Sequence, residues 1–548
     1  MALKKNEIYQ AEIIDYTTEG SGICKIDGMV VFVPNSAVKD QLSVRILKAN
    51  KKYAYGKIEE ILMPSPDRIG ADCNIFHQCG GCTFRHINYE AELAFKQKRV
   101  LDALTRIGEV DGLRLGPIIG APQRNQYRNK AQLPVTYDKA GKIRVGFFAS
   151  GSHRVIPLDE CMLQSSAFEP AIRYFLEWAN RFNVKPYDEK THSGILRHLY
   201  LRYAEKTDEL MICVVANAKE LRHQKQLVAI LTENIPNVKT IVLNTNMEKT
   251  NVITGKICHT LYGNGYITDV LCGLKFRISP LSFYQINRTQ AEKLYTIAAE
   301  YAGLKQHETL MDLYCGTGTI GLTMAHQVKR LIGVEIVSQA IQDAGKNAEY
   351  NGITNAEFIC GDAATAALSL KKRKINADCI ILDPPRKGCD AALIDTIAEI
   401  SPLRVVYVSC DPATLARDVK IFTKKGYHLK KAVPVDLFPG TPHVECVVLM
   451  TREKTDRKNI DDHLEFTWTD KDFGTKGSRA TYPDIQAYIL DKYGFKVSHL
   501  NIAQIKAKCG IIERENYNKP KSGKSKQPGC TKEKEDAIMD AFKHFRLI

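Results

Sequence analysis

Residues 309–321 read TLMDLYCGTGTIG, and the fold is decided here. The apolar run TLMDLYC reads as a strand, and it leads into a turn with glycines at 316, 318 and 321 and then into a helical run. Strand, glycine turn and helix make a site where backbone can approach a cofactor. The next strand-like run, RLIGVEIV, carries Glu335 about twenty residues beyond the first glycine, where a carboxylate can bind both hydroxyls of a ribose. Working outward, residues 276–452 alternate strands and helices as a doubly wound, Rossmann-like α/β sheet does.

The glycine turn and Glu335 leave a nicotinamide nucleotide and S-adenosylmethionine both open. DCIILDPPRKG narrows the choice, because a strand that delivers Asp383-Pro384-Pro385 beside the donor is typical of nucleobase methyltransferases and unusual in dehydrogenases. The two prolines stiffen the loop and hold Asp383 in place; capping of the strand is the plainer alternative. Asp362, in ICGDAA, sits where the next strand ends and is a reader of adenine or a helix cap. RVVYVSC ends on Cys410 at the same sheet edge, and the chain then turns at Asp411-Pro412. A free cysteine is only slightly ionised at neutral pH, so a nucleophilic Cys410 requires local activation; packing is the plainer role for a strand cysteine. FPGTPHVECVVLM puts Glu445 at the start of another apolar strand, beside His443, and a carboxylate leading into a buried strand is costly unless it is used or hydrogen-bonded.

The 548 residues predict three or four domains. Neither a signal peptide nor an apolar run long enough for a bilayer is expected, so the reading is a cytoplasmic protein without membrane contact. The 16 cysteines, scattered through a lysine-rich chain, favour reduced thiols with metal or catalytic uses over disulfides. A formal net charge of +15 favours an acidic polymer such as nucleic acid as partner.

Residues 1–60 read as short strands broken by Gly20, Gly22, Gly28 and Pro34, which predicts a small barrel. Lys48, Lys51, Lys52, Tyr53, Tyr55 and Lys57 interleave cations and aromatics, as in a backbone groove with stacking platforms or an ordinary solvated strand pair. Residues 61–275 mix strands and helices around CNIFHQCGGC, with Cys73, Cys79 and Cys82, and a remote Cys161 in LDECMLQ. Three close thiolates separated by Gly80 and Gly81 suit one face of an iron–sulfur cluster better than zinc, which more often shows two paired motifs; free buried thiols are the plain alternative. Residues 453–548 form a helical, basic extension. Apolar positions 485, 488, 489 and 493 mark a helix ending at Gly494, and SHLNIAQIKAKCG repeats the pattern as in a helix-turn-helix before the basic NKPKSGKSKQPG.

These motifs, in this order, resemble the RNA uracil-5-methyltransferases, in the branch that modifies 23S ribosomal RNA and carries an iron–sulfur cluster. The resemblance rests on CNIFHQCGGC with Cys161, QYRNKAQLPV, LRHLYLR, SFYQINRTQAEKLY, DLYCGTGTIG, DPPRKG, SCDPATLARD and FPGTPHVE, and covers roughly residues 1–452. It implies a class I methyltransferase domain over 276–452, an OB-like TRAM barrel over 1–60, and a [4Fe-4S] cluster on Cys73, Cys79, Cys82 and Cys161 within 61–275. It further implies that Gln285, Tyr314, Glu335 and Asp383 bind S-adenosylmethionine. Cys410 would add to C6 of the uracil and Glu445 would remove the C5 proton. Arg128, Lys130, Arg197 and Arg202 would grip the RNA backbone, with ordinary surface charge as the plainer reading of each, and no obligate protein partner is implied. Tyr314 stands where phenylalanine is common, and Gly440 where a polar residue is frequent. The alternatives left open are a transfer RNA substrate, methylation of an exocyclic amine with Cys410 structural, a non-catalytic RNA-binding factor, and a nicotinamide-dependent oxidoreductase.

Overall fold

Four sheets organise the first of two compact units, residues 1–456; residues 457–548 form the second. The computed structural model describes residues 3–113, 115–452, 482–498, 501, 502, 505, 508 and 531–544.

Six strands cover the first sixty residues: β1 (Ile8–Glu12), β2 (Asp15–Tyr16), β3 (Gly22–Ile26), β4 (Met29–Val33), β5 (Gln41–Ala49) and β6 (Tyr53–Met63). Their order is β1-β5-β6-β4-β3-β2, so the two edge strands are consecutive pieces of one chain bent at Ile13–Ile14. That continuity closes the sheet around Ile13, Val31, Val33, Leu42, Val44 and Ile46, a barrel with an alternating inward face.

The middle of the chain builds a sheet ordered β13-β12-β11-β10-β7-β8-β9. Its strands are β7 (Lys130–Tyr137), β8 (Ile143–Phe148), β9 (Val155–Pro157), β10 (Leu196–Ala204), β11 (Glu209–Ala216), β12 (Val238–Thr245) and β13 (Ile257–Tyr262). Helices α2 (Phe168–Arg181) and α3 (Gln224–Asn234) pack on one face through Phe175, Trp178, Leu227 and Leu231. A hairpin, β14 (Ile267–Leu271) with β15 (Leu274–Ile278), follows.

The third large sheet is the one read from residues 309–321. Strands β16 (Thr309–Leu313), β17 (Arg330–Glu335), β18 (Ala356–Cys360), β19 (Cys379–Leu382) and β20 (Arg404–Ser409) run parallel. The last two, β21 (His428–Val435) and β22 (Glu445–Thr451), form a hairpin whose second strand inserts beside β20, giving the order β18-β17-β16-β19-β20-β22-β21. The central strands are apolar on both sides, as a sheet covered on both faces demands. One face carries α4 (Arg288–Ala302), α5 (Thr319–Met324), α6 (Ser338–Tyr350) and the β14–β15 hairpin. The other carries α7 (Ala363–Lys372), α8 (Ala391–Ile400), α9 (Pro412–Lys424) and also α1 (Tyr89–Arg106), through Val100 and Leu104. Although α1 precedes the central sheet in the chain, in space it packs on this sheet; Leu115 and Ile119 likewise bridge to Ala432 and Val435 of β21.

In the second unit, helices Tyr482–Tyr493 and Lys532–His544 enclose Ile485, Ile489, Ala537, Ile538, Ala541 and Phe542. Gly494, with φ +76°, ends the first helix where expected, while Tyr493 at the end of the predicted stripe is exposed. The basic run 518–529 and most of the expected second helix of a helix-turn-helix lie outside the described residues. Among the described residues no helix is long and apolar enough to cross a membrane.

Candidate active site

Parallel register brings the strand ends together. Leu313 of β16 pairs with Val334 of β17 and Leu382 of β19, and Leu382 pairs with Tyr407 of β20. The residues that follow therefore leave the sheet at one edge: Tyr314, Glu335, Asp383 and Cys410. Strand β22 runs the opposite way, with Ser409 opposite Cys446, so Glu445 begins at that same edge, next to the point where Cys410 ends. Two residues 35 positions apart in sequence become neighbours through one antiparallel pairing.

These ends line a cavity of about 640 Å³, a size suited to a cofactor with part of a substrate. Gln285, Tyr314, Glu335, Asp362, Asp383, Cys410 and Glu445, all named from the sequence, line it together with Phe283, Arg386 and His443. The glycine turn is tightly tied. Tyr314 and Cys315 both donate to the Val334 carbonyl at 2.9 Å, Gly316 donates to Glu335 at 3.2 Å, and Gly321 donates to the buried Asp312 at 2.9 Å. Tyr314 itself has φ +76°, an unfavourable conformation for a bulky side chain, and it turns the chain sharply into the glycines. Glu335 accepts Gly316 and Val337 N–H groups on its two oxygens, which orients the carboxylate and leaves acceptor capacity toward the cavity.

Gln285 sits in the loop before α4. Asn129 clasps this loop from β7's approach, donating its side chain to the Gln285 carbonyl at 2.9 Å and its backbone to Ile286 at 3.0 Å. Asp362 is the cap of α7, accepting Thr365 N–H at 3.0 Å, and it also lines the cavity. Asp411-Pro412 is a helix start rather than a free turn. Asp411 accepts from Ala413 and Thr414, and Pro412 takes the first helical position of α9, where its missing N–H costs nothing.

Burial dominates the electrostatics. It pushes the Cys410 thiol up to about 11, helped by Glu445 and Asp383 and opposed by Arg386. Burial likewise raises Glu445 to about 8, with Asp383 adding to the rise and Arg386 opposing it, and raises Asp383 to about 7. His443 is driven down to about 4 by burial and by neighbouring cations, Arg386 first, whose guanidinium lies 3.4 Å from its Nε2. Three acidic groups thus share a site with one exposed arginine. Arg386 and His443 stood inside quoted motifs but were given no role; only the fold shows that they face Cys410 and Glu445 across one cavity. Phe283 is 60% exposed at the rim, the kind of apolar side chain a helix or strand pattern does not explain.

A second, smaller pocket of about 120 Å³ is lined by Cys73, Cys79, Cys82 and Cys161 with Arg85 and Arg128. The four cysteines are free thiols, and Gly81 points its N–H at the Cys79 sulfur, 3.4 Å away. Among the described residues no group of three or more His, Cys, Asp or Glu side chains is set to hold a metal ion directly.

The four basic residues expected on RNA divide. Arg197 is buried and donates to the carbonyls of Asn246, Glu248 and Thr250, and buried Arg202 donates to the Tyr200 hydroxyl and the Ser282 carbonyl. Both are occupied in holding loops, so their role as a phosphate grip is corrected: carbonyls far away in sequence claim the guanidinium groups. Arg128 and Lys130 stay only partly buried, and Lys130 is pushed down to about 8 by burial and by the nearby Arg202 and Arg128.

Comparison with known proteins accounts for this arrangement. Residues 220–453 match the family model described as tRNA (Uracil-5-)-methyltransferase, and residues 3–58 match the TRAM domain. An uncharacterized RNA methyltransferase of Halalkalibacterium halodurans is 43% identical over 448 residues, covering 82% of this chain and 98% of its own length. Another from Clostridium tetani is 43% identical over 449 residues, covering 82% and 97%. A solved structure, the Pyrococcus abyssi tRNA (uracil-54, C5)-methyltransferase in complex with S-adenosyl-L-homocysteine, superposes with a TM-score of 0.66 at 28% identity, covering 80% of this chain and 99% of its own. The chain belongs to the RNA uracil-5-methyltransferase family.

Proposed function

We propose that this protein transfers the methyl group of S-adenosylmethionine to C5 of a uridine in RNA, with 23S ribosomal RNA as the substrate. The observation that carries the reading is the meeting of Cys410 and Glu445 at one sheet edge, in a cavity shared with Gln285, Tyr314, Glu335 and Asp383. S-adenosylmethionine supplies an electrophilic methyl carbon on a sulfonium, and those last four residues would hold it. Uracil C5 is too weak a nucleophile alone. The Cys410 thiolate adds to C6, and the C5=C6 pair becomes an enolate with carbanion character at C5, which attacks the methyl carbon as its bond to the sulfonium breaks, the pair staying on sulfur and S-adenosylhomocysteine leaving. Glu445 then takes the C5 proton, the C–H pair restores the C5=C6 bond, and the C6–S pair leaves on the Cys410 sulfur. A thiol raised to about 11 needs help to ionise, and Arg386 is the nearby cation that favours both the thiolate and the Glu445 carboxylate. The target base must leave its stack, which a loop or bulge makes cheaper.

The cysteine pocket supports a [4Fe-4S] cluster on Cys73, Cys79, Cys82 and Cys161. Four thiols converge on a cavity walled by Ile75, Phe76, Phe147 and Leu163, with two arginines and a backbone N–H to balance thiolate and sulfide charge. Such a group would staple the segment 73–82 to the turn at 161. The ribosomal substrate rests on the cysteine quartet and on the motif set of the ribosomal branch. A transfer RNA substrate has its own support in the family description and in the named activity of the Pyrococcus relative.

The decisive experiment gives the purified protein labelled S-adenosylmethionine with 23S ribosomal RNA or transfer RNA transcripts and identifies the product by nucleoside mass spectrometry. The expected result is 5-methyluridine in the 23S transcript. Label in transfer RNA overturns the substrate, and label on an exocyclic amine overturns the mechanism.

A further inference from the structure

Residues 436–442 join β21 to β22 and deliver Glu445, yet they form no regular structure of their own. Most of their carbonyls are claimed by chain far away in sequence. Gly440, at φ +81°, donates to Glu92 at 2.7 Å, and its carbonyl accepts from both Thr83 and Phe84. The Pro439 carbonyl accepts from the Tyr127 hydroxyl, the Pro442 carbonyl from Arg99 at 2.6 Å, and the Leu437 carbonyl from Asn287.

At the centre of this web lies Lys96. It is 0% exposed, and its ammonium donates to Glu92 at 2.6 Å, to Asp436 at 2.7 Å and to the Phe438 carbonyl at 3.2 Å, using all three protons. Glu92 and Asp436 are equally buried. The Tyr89 hydroxyl donates to the second Asp436 oxygen at 2.7 Å, and Arg124 lies 3.4 Å from Glu92. A fully buried ion triad is an expensive way to close a helix–sheet contact, since apolar side chains of similar size hold such contacts as well or better. What the triad provides beyond adhesion is direction: the Lys96 ammonium ties helix α1 to Asp436 and Phe438 at the start of the segment that aims Glu445, and Glu92 extends the tie to Gly440.

We propose that Lys96 is a positioning residue for the proton-abstraction step, holding residues 436–440 so that Glu445 faces the C5 proton of the substrate. The inference rests on Glu445 being the base. Loss of the tie slows proton removal after the methyl group has moved, so the Cys410–RNA bond outlives its normal span. Donor binding, assigned to Gln285, Tyr314, Glu335 and Asp383, none of which is a hydrogen-bond partner of Lys96, stays close to that of the wild type.

The test compares Lys96→Met, Asp436→Asn and Tyr89→Phe with Glu445→Gln and with Arg404→Met, which breaks another ion pair, that of the partly buried Arg404 with the buried Glu308, at the opposite edge of the same sheet. Turnover, S-adenosylhomocysteine affinity, melting temperature and the fraction of protein that runs as an SDS-stable RNA adduct are measured on the full chain. The expected result for Lys96→Met is a tenfold or larger fall in kcat, donor affinity within twofold of the wild type, and a raised adduct fraction, as in Glu445→Gln. Tyr89→Phe and Asp436→Asn, which keep the side-chain shapes, show the same signs and carry the test where Lys96→Met fails to fold. Adduct in Glu445→Gln but in none of the three network variants overturns the positioning role. No adduct in Glu445→Gln itself overturns the base assignment on which it rests. A fall in kcat matched by Arg404→Met at equal melting temperature reduces Lys96 to ordinary stability and also overturns it.

Discussion

The cavity at the sheet edge and the cysteine pocket both gather reactive side chains from distant parts of the chain, but they do so by different means. The catalytic edge is assembled by strand register: Asp383, Cys410 and Glu445 sit where hydrogen-bonded ladders end, and they can move only with the sheet. The cysteine pocket is assembled by irregular chain, with Cys73, Cys79, Cys82 and Cys161 all outside helices and strands. One site is organised before anything binds; the other would acquire rigidity from the cluster proposed for it. The difference predicts that damage at the first site removes chemistry and spares the fold, while damage at the second loosens the fold and spares the donor site.

The largest effect is expected from Cys410→Ala. Without a thiol no C6 adduct forms, and methyl transfer falls by at least ~10³-fold while S-adenosylhomocysteine still raises the melting temperature as in the wild type. Activity within tenfold of the wild type would return Cys410 to a packing role and favour an amine acceptor. Glu445→Gln comes next, with a loss of about 10²-fold. Its stability effect has a definite sign. Glu445 is raised to about 8 in the fold, so the stability it lends is present in acid and lost as pH rises toward and through 8, where a buried carboxylate must ionise. Glu445→Gln therefore melts higher than the wild type at pH 9, by a margin that shrinks toward pH 5; a margin independent of pH would contradict the burial.

On the other side of the comparison, Cys82→Ser is expected to lower bound iron in anaerobically prepared protein and to lower the melting temperature by several degrees, about what a kcal/mol or two produces. Donor affinity stays within twofold. A variant with unchanged iron content would leave the four cysteines as plain thiols.

How much of this was legible beforehand follows the same division. The strand ends were readable because an apolar run, a glycine turn and an acidic residue at the next strand end are local patterns with a physical cause. The helix start at Asp411-Pro412 was equally local and passed for a turn. Lys96 and Glu92 were unreadable: four residues apart on α1, they look like an exposed helix pair, and only Asp436, 340 positions from Lys96, makes them a buried triad. Arg197 and Arg202 failed for the same reason, since a cation's partner among remote carbonyls leaves no trace in its own neighbourhood.

Arg386 gives the smallest predicted effect and the sharpest one. Its guanidinium opposes the burial that raises both Cys410 and Glu445, and it is a cationic counterweight to each. Replacing it by methionine takes away a charge that favours thiolate and carboxylate, so both groups ionise at higher pH. A rate that depends on ionised Cys410 and Glu445 climbs as pH rises, and in Arg386→Met that climb moves to higher pH by about half a unit for each group, which appears as a roughly tenfold loss at pH 7.5 that narrows by pH 9.5. The fold and the donor site are expected to be untouched by the change, because Arg386 is exposed and its guanidinium meets His443 rather than the residues assigned to the donor. A pH-independent loss would make Arg386 a contact to substrate phosphate instead of an electrostatic lever, and the register-built edge would then owe its ionisation to the RNA it binds.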